Sequence, residues 1–75
     1  MDGGLSPDLH DALTSAIDAL PPNLRIALIM YTMEGYTHAE IGSALGIAEG
    51  TSKARVSEAR ARLRAMLAPH LEDRR

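Results

Sequence analysis

Gly35 and Gly46 stand 11 residues apart, and the stretch between them has room for one short helix and little else. Thr37-His38-Ala39-Glu40 opens that helix as a capping box. The threonine hydroxyl accepts from a free N–H of the first turn, and the Glu40 carboxylate reaches back to the first free backbone N–H. The helix has to end near Leu45, because Gly46 is placed for a positive-φ turn that side chains resist. Ile47 offers an apolar anchor at the turn, and a fourth helix starts around Glu49 and runs to about Leu67. A short capped helix, a tight glycine turn and a longer helix make a helix-turn-helix.

Prolines punctuate the first half in the same way. Ser6-Pro7 opens a first helix, with serine as N-cap and proline at the first helical position, where its missing N–H costs nothing. Leu9, Leu13, Ile17 and Leu20 recur at helical spacing as one apolar stripe. Pro21-Pro22 stops that helix and starts the next, which runs from about Pro22 to Glu34. The second helix is apolar on most sides, through Leu24, Ile26, Ala27, Leu28, Ile29, Met30, Tyr31 and Met33, and reads as the central core helix, with Met30, Tyr31 and Met33 as filler or, in the alternative, as part of a docking groove for a partner. Gly35 suits the left-handed cap behind it. Residues 1–6 carry two glycines and no periodicity and read as a disordered start or linker remnant, residues 7–68 as the folded domain, and residues 69–75 as a flexible polar tail behind a closing Pro69. The fold class is all-α, a small four-helix domain with a C-terminal helix-turn-helix and no strand to build a wing.

Composition narrows the function. A chain of 75 residues buries only about 60 to 65% of its unfolded surface, which leaves one core and no deep pocket. With no cysteine there is neither a disulfide nor a thiolate metal site. His10, His38 and His70 are far apart and lack partners at ligand spacing, so no metal ligand is assigned. Asp8 and Asp11 read as surface acids complementing the first helix dipole. No nucleophile sits beside a base and no glycine loop cradles phosphate, so the expectation is no catalytic residue, no cofactor and no enzyme activity. No export signal or apolar stretch of membrane length is visible, and a cytoplasmic domain without a membrane partner is expected.

The net charge of −2 hides a division by position. Residues 1–49 carry seven acids against Arg25 alone, whereas residues 50–75 carry seven cations against Glu58, Glu72 and Asp73. At about 100° per residue, Ser52, Val56, Ala59, Leu63, Met66 and Leu67 share the packed arc of the fourth helix. The opposite arc holds the short residues Gly50, Thr51, Ala54, Ser57, Ala61 and Ala65 together with Glu58. Lys53, Arg60 and Arg64 line one border between the arcs, Arg55 and Arg62 the other. A low-profile face with basic flanks can enter a DNA major groove about 12 Å wide while the flanks reach phosphates on both strands. The plainer alternative is a solvated helix with an i,i+4 pair such as Glu58 with Arg62. Five cations to one acid between Gly50 and Ala68, behind a capped helix and a glycine turn, favour the DNA reading.

Taken together, Ala19-Leu20-Pro21-Pro22, Glu34-Gly35-Tyr36-Thr37-His38-Ala39-Glu40-Ile41-Gly42, Leu45-Gly46-Ile47-Ala48-Glu49-Gly50-Thr51 and Arg60-Ala61-Arg62-Leu63-Arg64 resemble region 4 of bacterial sigma factors, specifically the extracytoplasmic-function (ECF) group of the sigma-70 family. The likeness covers roughly residues 8–68. It implies sequence-specific recognition of the minus-35 element of double-stranded promoter DNA by the fourth helix, and docking on the β-subunit flap of the RNA polymerase core. By position, the contacting residues are expected among Thr51, Lys53, Ala54, Arg55, Ser57, Glu58, Arg60 and Arg62, with Thr37 and His38 near the phosphate-facing start of the third helix. Many relatives have valine where Ser52 stands, serine at Ala54, and a basic or aromatic residue around Ser57 and Glu58. Region 2 of such proteins has no room here, so an excised domain or a stand-alone homologue is expected. The alternative function is a sigma-like interaction domain bound by an anti-sigma partner with weak or no DNA binding. The acidic front half and Glu58 motivate it.

Overall fold

A computed structural model of the chain describes residues 7–72. Four helices follow one another: α1 Pro7–Ala19, α2 Pro22–Thr32, α3 His38–Leu45 and α4 Glu49–Glu72, with no strand among the described residues. α4 is the hub, since α1, α2 and α3 all pack on it, and α2 also touches α3. The core joins Leu20, Leu24, Ala27 and Leu28 to Val56 and Ala59 of α4, with Tyr31 and Leu63 at its margin. The expected N-cap Ser6 and the glycine-rich start lie outside the described residues.

Along α1 and just past its end the buried positions are Leu9, Ala16 and Leu20, while Leu13 and Ile17 are only half-buried. The covered side of α1 therefore runs through a small residue, Ala16. Pro21 and Pro22 divide α1 from α2 as expected, with the Pro21 carbonyl accepting from the N–H groups of Leu24 and Arg25 at 3.0 Å each. The Arg25 guanidinium donates to the Asp18 carbonyl at 2.9 Å, tying the start of α2 to the end of α1.

α2 ends at Thr32 with Met33 as its C-cap, two residues short of the expected Glu34. The chain wraps back at this point. The N–H groups of Met33 and Glu34 both donate to the Ile29 carbonyl, and that of Tyr36 to Met30, so the free carbonyls of the last turn are satisfied by a closure around Gly35 at φ 77°. One expected core residue is displaced by this turn: Met33 is 71% exposed. Met30 and Tyr31 are half-buried.

The capping box is present in full. The Glu40 N–H donates to the Thr37 hydroxyl at 3.1 Å and the Thr37 N–H to the Glu40 carboxylate at 2.9 Å. Gly46 caps α3 at φ 72°. A second glycine constraint was not legible beforehand: a Cβ on Gly42 would lie 2.6 Å from the Ile47 carbonyl oxygen, because the turn folds back over α3 and the Ile47 N–H donates to Gly42. The obstacle is backbone, so it cannot swing aside. Overpacking of this kind costs about 1 to 3 kcal/mol, against about 1 kcal/mol gained from helix propensity. Gly42→Ala is therefore expected to lower stability by up to about 2 kcal/mol, and a melting temperature at or above that of the parent would reject the close approach.

Two expectations for α4 require correction. The helix does not close at Pro69 but continues to Glu72, so residues 69–72 belong to it and not to a flexible tail. A proline loses one helix hydrogen bond, to the carbonyl four residues earlier. Here that residue is Ala65, which is exposed, so water can take the place of the missing donor. Met66, expected on the packed arc, is 38% exposed. It borders a shallow trough with Ala12, Ser15, Ala16, Ala19 and His70, where the short side chains of α1 do not reach far enough to cover it.

Candidate nucleic-acid interface

The packing of α4 decides which of its residues face outward. Ser52 and Ala59 are fully buried and Val56 is 2% exposed, so the inward arc is set in the first three turns. Thr51, Lys53, Ala54, Ser57, Glu58, Arg60, Ala61 and Arg62 are all exposed on the remaining surface, and Arg55 is half-buried at its edge. The expected low face with basic borders is thus present: Ala54, Ser57 and Ala61 are short and outward, and the cations stand beside them.

Within that surface the side chains are not all independent. Glu58 accepts two hydrogen bonds from Arg62, at 3.1 Å from Nε and 2.8 Å from a terminal nitrogen. Both side chains are about half exposed, at 50% for Arg62 and 53% for Glu58. An exposed pair of this kind is worth at most about 1 kcal/mol, so either partner can exchange it for a better contact.

Thr37 and His38 are placed differently from one another. The Thr37 hydroxyl is committed to the α3 cap, leaving an exposed residue with a structural task. His38 is half-buried between helices: its Nδ1 lies 3.0 Å from the Ser52 hydroxyl, and its ring stacks on Tyr31 with centroids 4.2 Å apart and planes 6° from parallel. The Arg60 guanidinium carbon lies 5.5 Å from the centroid of the same tyrosine. These four residues come from three helices, and the link through Tyr31 escaped sequence reasoning. One signal did point to its first contact, that of Ser52 with His38. Ser52 sits on the packed arc, and a buried hydroxyl requires a partner.

The family model described as "Sigma-70, region 4" matches residues 10–63, which take in α2, α3, most of α1 and α4 as far as Leu63. The chain belongs to the sigma-70 region 4 family. It is similar to the ECF RNA polymerase sigma factor SigE of Mycolicibacterium smegmatis, with 41% identity over 69 residues, covering 92% of this chain and 25% of that protein. The ECF RNA polymerase sigma factor SigM of Mycobacterium tuberculosis is 43% identical over 56 residues, covering 75% of this chain and 29% of its own length. EcfG of Rhodopseudomonas palustris, also named an ECF RNA polymerase sigma factor, is 40% identical over 53 residues, covering 71% and 29% respectively. The chain thus spans between a quarter and a third of the length of these relatives. Membership accords with the geometry: the matched segment contains the capped α3, the Gly46 turn and the exposed cations of α4 through Arg62.

No helix among the described residues is long and apolar enough to cross a membrane. No group of three potential metal-ligating side chains converges among them either.

Proposed function

We propose that this region 4 domain recognises the minus-35 element of promoter DNA as part of a cytoplasmic bacterial sigma factor of the ECF group, acting in transcription initiation by binding and not by catalysis. The observation that carries the reading is the exposed face of α4, with short residues at its centre and Lys53, Arg55, Arg60 and Arg62 around it, inside the segment that matches region 4. In the major groove, Ala54, Ser57 and Glu58 face base edges, and the cations hold the backbone. Thr51 stands exposed in the first turn of α4, where a phosphate can be met.

A second partner is the RNA polymerase core, through its β-subunit flap. A shallow groove lined by Pro22, Asn23, Arg25, Ile26 and Ile29 supports this, since it is largely apolar, lies on the first turns of α2, and includes Ile26 at 46% exposure. Isolated apolar side chains are ordinary on a surface, but a groove of them suits a helix or loop of a partner.

A second reading is favoured by the Glu58–Arg62 pair, which engages one of the two cations on its border in the free protein. In it the domain is held mainly by an anti-sigma factor and binds DNA weakly. Titration of labelled promoter duplex over a salt series separates the two. A DNA-reading domain loses affinity steeply as salt rises, and each single neutralisation among Lys53→Gln, Arg55→Gln and Arg62→Gln reduces the salt slope by about one unit while weakening different sequences alike. Absence of a specific complex at every salt concentration rejects promoter recognition by the isolated domain.

A further inference from the structure

Tyr31 stands where α2, α3 and α4 meet, half-buried at the margin of the core, and its surroundings tie two positions of α4 to each other. Ser52, fully buried, meets His38 at 3.0 Å. His38 stacks on Tyr31, and the Arg60 guanidinium carbon lies over the tyrosine ring at 5.5 Å. Ser52 and Arg60 are both on α4, so the links pass out through α3 and α2 and return to the same helix. The first three members are held by burial, hydrogen bonding and ring stacking. Arg60 alone is exposed, and among the described residues no carboxylate pairs with it.

We propose that Tyr31 is a positioning residue for DNA binding: its ring holds the exposed Arg60 guanidinium in place, so that a backbone phosphate meets a cation already ordered. This rests on the reading that α4 engages DNA. A free arginine loses rotamer freedom when a phosphate captures it, and that loss subtracts from affinity. Contact with an aromatic face orders the guanidinium beforehand while leaving its N–H edge available, because the attraction acts through the ring face. Arg62 lacks this advantage, since its two hydrogen bonds to Glu58 occupy the same groups that a phosphate needs. His38 fits the scheme as the support beneath Tyr31, with its Nδ1 side turned to Ser52.

The test uses a fluorescein-labelled duplex of mixed sequence, since a phosphate contact is indifferent to bases. Tyr31→Leu keeps an apolar side chain in the core and removes the ring; Tyr31→Phe keeps the ring. Tyr31→Leu is expected to weaken binding about two- to fivefold at fixed salt without changing the salt slope, because Arg60 still reaches its phosphate. Tyr31→Phe is expected to bind as the parent does. Arg60→Gln lowers the slope by about one unit, and in that background Tyr31→Leu has no further effect. In the free parent protein, the Arg60 δ-methylene protons are expected to be shifted upfield by the tyrosine ring current. Parent-level affinity in Tyr31→Leu overturns the proposal. So does an equal loss with and without Arg60, an equal loss in Tyr31→Phe, or unshifted Arg60 protons, the last of which needs no variant to fold. If Arg55→Gln and Arg60→Gln weaken binding while Tyr31→Leu does not, only the positioning role falls. If neither neutralisation has any effect, the DNA reading falls and this proposal with it.

Discussion

Replacing Ile41 by alanine is expected to destabilise the domain by about 2 to 5 kcal/mol, toward the upper part of that range. Ile41 is fully buried, and it is the largest apolar residue that α3 contributes to the core, so its truncation leaves a cavity where α3 rests on α4. The loss is large for so small a protein, whose whole stability is on the order of 4 to 11 kcal/mol by its length. Leu45, at the other end of α3, is only half-buried, and Leu45→Ala is expected at the lower end of the range or below it. Thermal melting measures both. Each kcal/mol lowers the melting temperature of a domain this size by about 4 to 8 °C. Equal melting of Ile41→Ala and the parent, or a larger loss from Leu45→Ala, would contradict the observed seating of α3.

The elements that were legible in advance are those fixed by neighbours in sequence. The Thr37–Glu40 capping box, the Gly46 turn, the Gly35 closure and the Pro21–Pro22 division each involve groups within a few residues, so the pattern of types carries the geometry. What escaped depended on distance between helices. Ala16 is buried more deeply than Leu13 or Ile17 because the approach of α1 to α4 sets which side of the stripe is covered. Met33 and Met66 are apolar and correctly phased, yet one lies in a closing turn and the other over a trough that short side chains cannot fill. Gly42 is kept small by a carbonyl five residues on, across a turn whose curvature the sequence does not state. The outward face of α4 was readable from periodicity, since 24 residues of one helix keep phase. The stack of His38 on Tyr31 was not, because it joins two helices through a bend.

Glu58→Ala is expected to act on DNA in two opposite directions, and their separation identifies what the carboxylate does. In the free protein Glu58 is held by Arg62 across one helical turn, with both side chains about half exposed. That contact is too weak to bar either group from the groove. Seated against base edges, a glutamate accepts from a cytosine amino group, and its removal costs about 1 to 3 kcal/mol of discrimination at one base pair. Removal also frees Arg62 and takes a negative charge away from phosphate, which raises affinity for every sequence. The variant should therefore bind a mixed-sequence duplex more tightly than the parent while preferring its promoter less, with the lost preference confined to one position in a panel of single-base changes. A uniform gain with an identical base preference assigns Glu58 to the intrahelical pair alone and leaves Ala54 and Ser57 as the outward residues that meet the bases. Arg62→Gln supplies the control: it removes the same pair from the other side, so it should lower affinity for all duplexes and leave the preference at that position intact. Loss of the preference in both variants would mean that the pair, and not the carboxylate alone, is what the DNA meets.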